Sequence, residues 1–558
     1  MASSIRNLQI TRKSFISLVL LLGTSAILNT VVAVRASTTI DEPHHIEYGS
    51  RILHFEPDRL VGGICDSQMP VSALNAAPQV IASYLDSHHL FHPIAAALNH
   101  FKVIRIPTIL ATLALDLLVY FWAYDLYGEA AALASCLLCV LSPNLIAHGT
   151  LATTDMYHAL GVVGSLFFFR RFLLQPTWGH AFLSGLTLAL AQITKSFAIV
   201  LYAVVYLAIA CVMFRRNAVP SLTSKRILGF SVIAVVCFVV IINLAFCFDR
   251  TFMPLGSYHF ETTFFTRVQR MPLLAQVAVP FPYPFLQGLD MMKRSEETGR
   301  TFGDIYLLGE LRDPSSPAFR GFKSYYAVAL FYKEPIALQL LFLWGLVWIW
   351  RNRSLGDFLL GEGLLLTAAA ILVVWLSFFS KAQIGIRHIL PALAIETVIA
   401  GAAFSNFSSK PWPHKAILSI LVLWLAGSVA SYYPQMIPYM NEWVRDRRFS
   451  YKILSDSNLD WEQDEAVVDE FLRKNPDVVL DPKAPVAGRI LVRANRLTGV
   501  YRWDSAAYLA KRYQPVAQVG YAPPLRHSGP GHRLYSSVAL KCRGGTVASN
   551  PDNRGSQL

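Results

Sequence analysis

Charge is scarce in this 558-residue chain: Asp, Glu, Lys and Arg make up 15% of it, against 54% hydrophobic residues. A soluble protein of this length needs far more charged surface to cover an apolar core, so a water-soluble globule is excluded as the main body. Acid is scarcer than base, 36 residues against 49, giving a formal charge of +13. That excess does not point to nucleic acid. The basic residues sit in short clusters beside apolar runs, as in Arg170-Arg171, Arg215-Arg216, Lys225-Arg226 and Arg351/Arg353, which suits loops at an anionic cytoplasmic leaflet better than a phosphate-tracking groove. The seven cysteines show no paired metal spacing. Cys136 and Cys139 have the CxxC spacing but lie in an apolar run, where packing accounts for them. Cys65, Cys247 and Cys542 fall in polar segments, so one disulfide is open to the chain, with its pairing unspecified. No internal repeat is evident, which weighs against a transporter built from duplicated halves.

Apolar runs of membrane-spanning length are abundant. The first, Phe15 to Val34, follows Arg6, Arg12 and Lys13 and reads as a retained helix with its amino end inside. Ala33-Val34-Arg35-Ala36 makes a poor signal-peptide cleavage site because of Arg35. Further runs near 103–122, 130–147, 156–173, 181–193, 197–214, 228–246, 325–349, 362–379, 388–404 and 416–432 bring the expectation to about eleven spans. Placing 1–14, 174–180, 215–227, 350–361 and 405–415 inside gathers Arg12, Lys13, Arg215, Arg216, Lys225, Arg226, Arg351, Arg353, Lys410 and Lys415 on one side. The expected architecture is an all-α polytopic membrane protein, a core over residues 1–432 with outer loops at 35–100 and 247–324. A small α/β extracytoplasmic domain over 433–558 ends in a disordered Gly/Ser/Asn-rich segment. Tyr432-Tyr433-Pro434 runs from the last span into Tyr439 and Trp443 without a Gly/Ser linker, which predicts a docked rather than a tethered outer part.

Ionisable residues at the mouths of spans are expensive unless something uses or neutralises them. Asp41 and Glu42 follow the first span, with His44, His45 and Glu47 behind them. They read either as a solvated acidic loop or as carboxylates poised to take a proton from an incoming hydroxyl or amine. Asp155 opens the run at 156–173, either as a helix-entrance residue capped by Thr153 or Thr154 or as a second acidic centre on the same face. Lys195 interrupts apolar sequence, and Lys381, Arg387 and His388 flank the start of another span. Snorkelling accounts for Lys381, whereas Arg387 is placed to clamp a lipid-linked phosphate through charge-assisted hydrogen bonds. Acids beside cations at one membrane face suit transfer of a group from a phosphate-bearing lipid.

The run Thr39-Ile40-Asp41-Glu42-Pro43-His44-His45, followed by Asn144 to Asp155, resembles the multi-spanning bacterial glycosyltransferases related to protein O-mannosyltransferases and to lipid A aminoarabinose transferase. Thr194-Lys195-Ser196, Lys333-Glu334-Pro335, Ile384 to Pro391, Tyr439-Met440-Asn441-Glu442 and Asp456-Ser457-Asn458-Leu459-Asp460-Trp461-Glu462-Gln463 extend the likeness, in order, over nearly the whole chain. The resemblance implies a GT-C type fold of about 11 transmembrane helices. It also implies an inverting transfer with Asp41 as general base, supported by Glu42 and Asp155, and Lys195, Arg387 and His388 near the donor phosphate. Asp456, Asn458, Asp460 and Trp461 would form a structural turn under the active site or part of the acceptor surface, the turn being favoured. Two departures stand out: Gln68-Met69-Pro70-Val71 replaces a Pro-Pro-Leu turn, and Glu462 stands where relatives carry Gly.

The expected activity is therefore transfer of a sugar from a polyprenyl-phosphate donor to an extracytoplasmic protein, lipid or polysaccharide acceptor, in a bacterial inner membrane with the amino end cytoplasmic and the C-terminal domain periplasmic. A catalytically silent accessory subunit of a membrane complex and a lipid or solute transporter are the alternatives; a transporter would keep its flux after Asp41 is neutralised. No cofactor is firmly expected. A divalent cation near Asp41, Glu42 and Asp155 is the one candidate, although the cluster lacks a zinc pattern.

Overall fold

The computed structural model describes residues 10–59, 67–214, 221–299, 303–483, 486, 488–501, 515–519 and 538–541. Arg215-Arg216, Cys65, Cys542 and the Gly/Ser/Asn-rich tail lie outside the described residues. Cys247 is a free thiol, as are Cys136 and Cys139.

The chain is an all-α polytopic membrane protein with a small β-sheet region. Among the described residues, six helical segments are long and apolar enough to cross a membrane: Arg12–Arg35, Phe101–Tyr127, Ser196–Phe214, Ser224–Ala245, Ile386–Ser409 and Trp412–Ala430. Tyr325–Lys333 and Ile336–Asn352 pass the same test only as a pair, bent by 109° where Pro335 interrupts the backbone ladder. Of the about eleven spans expected, six, or seven with the bent pair counted as one, have full crossing length among the described residues. Glu129–Val140 has 12 residues, Trp178–Gln192 has 15 and Glu362–Phe378 has 17. At 1.5 Å per residue, helices of this length fall short of a hydrocarbon core about 30 Å thick. Hydropathy read along the sequence merges such pieces with their apolar flanks.

Contacts between helix ends give the bundle two distinct poles. At one, Thr11 donates through its backbone N–H and hydroxyl to Glu129 Oε1 at 3.0 and 2.9 Å. There Asp125 receives Arg170 and Arg171 at 3.5 and 3.2 Å, and Arg353 bonds Glu362 at 2.7 Å. The basic residues of this pole are thus partly withdrawn from the headgroups: the Arg170 side chain is 2% exposed, because nearby carboxylates give it a partner inside the protein.

At the other pole three polar segments interlock. Ser37 N–H donates to Gln463 O at 2.8 Å, Asp304 N–H to Val500 O at 2.9 Å and Leu308 N–H to Ile453 O at 2.9 Å, while Arg250 pairs with Asp58. Beyond residue 460 a four-stranded mixed sheet runs in the order Val478–Leu480, Arg489–Val492, Val538–Lys541, Pro515–Gln518. Its first pair is parallel and the others antiparallel. The amphipathic helix Glu465–Lys474 buries Val468 against Val478, Leu491 and Val519.

Candidate functional site

The interlocked pole holds a buried chain of alternating charges. Asp41 precedes the helix Glu42–Leu53 but makes no side-chain cap bond, which leaves its carboxylate for tertiary contact. Arg387 lies in the single turn Ile386–Ile389 that leads into Leu390–Gly401. Its Nη1 donates to Asp41 Oδ2 at 2.6 Å and lies 3.9 Å from Asp155 Oδ2. Asp155 also pairs with Lys195 through Oδ1 and accepts from the Thr153 hydroxyl at 3.0 Å. Lys195 reaches it because the chain is extended between Trp178–Gln192 and the turn at Ser196. Thr154 makes no side-chain cap, so Asp155 meets two cations rather than serving as a capped helix entrance. All four charges are mostly buried, with side-chain exposures of 9% for Asp41, 2% for Asp155, 17% for Lys195 and 11% for Arg387.

The same site contains buried nitrogens that lack a hydrogen-bond partner: Arg387 Nε, His388 Nε2 and His148 Nδ1. An unpaired buried polar atom costs about 1–3 kcal/mol, so several at one place mark a site arranged for something that supplies acceptors. His45, within the same field, is held below its ordinary pKa by burial, with Asp41 and Asp155 opposing.

Glu42, adjacent in sequence to Asp41, faces elsewhere. Arg105 Nε donates to its Oε1 at 2.8 Å and Nη2 to its Oε2 at 2.7 Å, with both side chains fully buried. Glu42 also accepts from Thr39 N–H and Ala152 N–H, each at 2.9 Å. Arg105 uses its remaining protons on the carbonyls of Ala33, Ala36 and Ser37 at 2.7, 3.1 and 2.7 Å. Sequence reading passed over Arg105; a charge inside the run at 103–122 is the signal that marks it.

This geometry corrects the expectation of a divalent cation near Asp41, Glu42 and Asp155. Among the described residues no group of three or more His, Cys, Asp or Glu is placed to hold a metal ion. The reason is local: Glu42 is turned onto Arg105, and the other two carboxylates are matched by Arg387 and Lys195.

The Asp456–Gln463 segment supports the site from beneath. Asn458 Oδ1 accepts from Ile386 N–H at 3.0 Å, and its amide donates to Tyr325 Oη at 3.0 Å. Lys333 Nζ donates to Asn458 O and Ile437 O at 2.7 and 2.6 Å. Asn144 donates to Lys333 O and Glu334 Oε1, each at 2.7 Å. The Trp461 ring lies 4.1 Å under the Arg387 guanidinium, a cation–π contact that fixes its plane. Gly385 permits the approach of this segment, since a Cβ there would collide with the Ser457 hydroxyl. Asp456 is pushed up to about 6, chiefly by burial, against Arg387 and the Ser457 N–H. Asp460 accepts from Glu462 N–H at 3.2 Å. Glu462 has φ +65°, in the left-handed region, a position that favours glycine. Met69, the other departure, is buried, and its sulfur accepts from Arg59 and Ser196 at 3.5 and 3.7 Å.

Beside the site a small apolar recess of about 30 Å³ opens among the helices, lined by His158, Phe197, Leu201, Leu372, Pro391 and Ile395. Phe197 lies two residues from Lys195, and Pro391 three from His388.

A family model described as dolichyl-phosphate-mannose-protein mannosyltransferase matches residues 89–243, which include Asp155 and Lys195. No curated protein sequence matches the chain significantly. Among solved structures the chain is similar to ArnT from Cupriavidus metallidurans bound to undecaprenyl phosphate, at 12% identity over 95% of this chain and 98% of that one, with a TM-score of 0.43. It is similar to the Archaeoglobus fulgidus oligosaccharyltransferase in its apo form at 12% identity, over 75% of this chain and 56% of that one, TM-score 0.45. For AglB of the same organism, in complex with an inhibitory peptide and a dolichol-phosphate, the identity is 13% over 83% of this chain and 59% of that one, TM-score 0.43.

Proposed function

We propose that the chain is a membrane glycosyltransferase that moves a sugar, with inversion, from a polyprenyl-phosphate donor to an extracytoplasmic acceptor. The observation that carries this reading is the set of unpartnered buried nitrogens, Arg387 Nε and His388 Nε2, within a buried lattice of two carboxylates and two cations. The Arg387 Nε–H, and His388 Nε2 in the tautomer that protonates it, seek oxygen acceptors, and a phosphate monoanion supplies them together with a charge that Arg387 and Lys195 can balance. The apolar lining at Phe197 and Pro391 gives a hydrocarbon chain a surface to lie against, and the family match over 89–243 agrees with a lipid-phosphate donor.

In the reaction an acceptor hydroxyl attacks the anomeric carbon opposite the phosphate. The carbon–oxygen bond to phosphate breaks with its electron pair, and the hydroxyl proton passes to Asp41. Arg387 then serves two partners, pairing with Asp41 in the resting site and with the departing phosphate as charge builds there. Asp155 keeps Lys195 and Arg387 facing the donor. Glu42 acts as a positioning residue, and the Asp456–Trp461 turn holds the Arg387 backbone and ring contact in register.

The test is transfer by purified protein from a panel of isoprenoid-phosphate sugars. Arg387→Ala should lower donor affinity and turnover together, because the contact exists before reaction. Arg387→Lys should recover only part, since a point charge lacks the planar fork that stacks on Trp461. Failure of the wild type to transfer from any donor rejects the reading.

The proposed topology has eleven membrane passages, counting the short and bent helices, with the Glu129/Arg353 pole cytoplasmic and the site pole periplasmic in a bacterial inner membrane. Residues 1–432 form the transferase core and 433–558 an outer α/β domain packed on it. In sealed vesicles Cys542 should react with an impermeant thiol reagent from the periplasmic side alone; labelling from the cytoplasmic side overturns this orientation.

A further inference from the structure

A polar cleft of about 500 Å³ lies against the first outer segment, within the size range of small-ligand sites. One wall is Thr38, Thr39, Ile40 and Pro43, the residues that bracket Asp41; the facing wall carries Asp460, Glu462, Arg496 and Tyr501. The cleft therefore runs along the segment that carries Asp41, with the Asp41 carboxylate turned inward onto Arg387.

Its chemistry is selective. The arginines of the far wall are already neutralised: Arg493 bonds Glu465 through Nε at 2.8 Å and Nη2 at 2.6 Å and also pairs with Asp481, while Arg496 Nε lies 3.5 Å from Asp481 Oδ2. No surplus of positive charge remains to hold a phosphorylated headgroup. Apolar lining is confined to Ile40 and Pro43, with the Tyr501 ring opposite, too little to seat acyl chains or a run of peptide side chains. What remains is suited to hydroxyl groups: carboxylates at Asp460 and Glu462, a hydroxyl at Thr38, and one aromatic ring.

Glu462 adds an independent observation. Its backbone is held at φ +65°, a conformation unfavourable for any residue with a Cβ, yet its side chain is exposed on the cleft. Partial desolvation by its surroundings and the carboxylates of Glu465 and Asp460 also raise its pKa. A strained backbone that delivers an otherwise disfavoured carboxylate to a cavity wall is the arrangement found where a side chain serves a ligand.

We infer that this cleft is the acceptor site, and that its substrate class is a neutral polyhydroxylated glycan chain that presents one hydroxyl to Asp41. The inference rests on the transferase reading and specifies its acceptor. The glycan hydroxyl supplies the oxygen of the new glycosidic bond and surrenders its proton to Asp41, and the lipid phosphate leaves.

The experiment uses the purified full-length chain with a neutral linear oligosaccharide, a hydroxyl-bearing peptide and a phosphorylated amphiphile as competing acceptors. Binding of the oligosaccharide is also followed without donor, by ligand-observed magnetic resonance. The oligosaccharide should bind the wild type and be glycosylated at a lower KM than the other two acceptors. Glu462→Gly should raise that KM about tenfold by removing one or two hydrogen bonds to hydroxyls, with kcat little changed and donor affinity retained. It should also leave Tm unchanged or higher, because glycine accepts the left-handed backbone. A merely structural Glu462 would instead lower Tm and leave KM alone. An unchanged KM, absent oligosaccharide binding, or preference for the peptide or the amphiphile overturns this assignment alone. Absence of donor consumption with every acceptor overturns the transferase reading and the acceptor assignment with it.

Discussion

Asp41→Asn should reduce sugar transfer by about a hundredfold or more, the usual scale for loss of a positioned general base, while leaving donor binding intact or tighter. The substitution preserves size and keeps an oxygen that can accept from Arg387, now 2.6 Å from Asp41 Oδ2, so the local packing survives. It removes the group that receives the acceptor proton. It also removes the charge that competes with a donor phosphate for Arg387, which is why affinity should not fall. Steady-state transfer combined with direct donor-binding measurements separates the two effects. Turnover within a few-fold of wild type would end the general-base assignment. Parallel losses of turnover and binding would mean that Asp41 matters for holding Arg387 rather than for the proton.

Glu42→Ala should act on stability instead, at about 3–5 kcal/mol, the range for breaking one side of a buried ion pair. Glu42 and Arg105 both have 0% side-chain exposure, so removal of the carboxylate strands a guanidinium that water cannot reach. Two backbone donors, Thr39 N–H and Ala152 N–H, lose their acceptor at the same time. The loss should appear as a lower Tm for purified protein and less protein in the membrane fraction. Glu42→Gln, whose single amide oxygen can keep only one of the two backbone bonds, should fall between. If Glu42→Ala melts like wild type but fails to transfer sugar, Glu42 belongs with the reacting groups and not with the frame.

The two adjacent acids show how far the sequence is legible. Asp41 and Glu42 have the same position relative to the first span and the same acidic character. Helix geometry separates them: one precedes the first turn of Glu42–Leu53 and faces Arg387, and the other is rotated onto Arg105. Proximity along the chain suggested a shared cation, whereas side-chain direction divides the pair. Short motifs fared differently. Asn144, Lys333, Glu334, Asn441 and Asn458 come from four separate stretches of the resemblance and meet in one hydrogen-bonded group. Charged or amide residues next to apolar runs carry this information because the bilayer tolerates them only where a partner waits. Span counting was less secure, since the hydropathy of Glu129–Val140 and its flanks does not disclose that the helix stops after 12 residues. The handed backbone at Glu462 was likewise hidden, because φ depends on how Asn495 and the 37–40 strand of chain hold the Asp456–Gln463 turn.

The pairing of Asp41 with Arg387 also sets a schedule for biogenesis. The two residues are 346 positions apart, an interval that takes roughly 17–70 seconds to translate at ordinary ribosomal rates. Throughout that interval Asp41 has no Arg387 to pair with. The Asp456–Trp461 turn that braces Arg387 is made later still, after the final long helix. A nascent chain can therefore settle into its lipid surroundings in stages, while the braced Asp41–Arg387 pair is completed only late in synthesis.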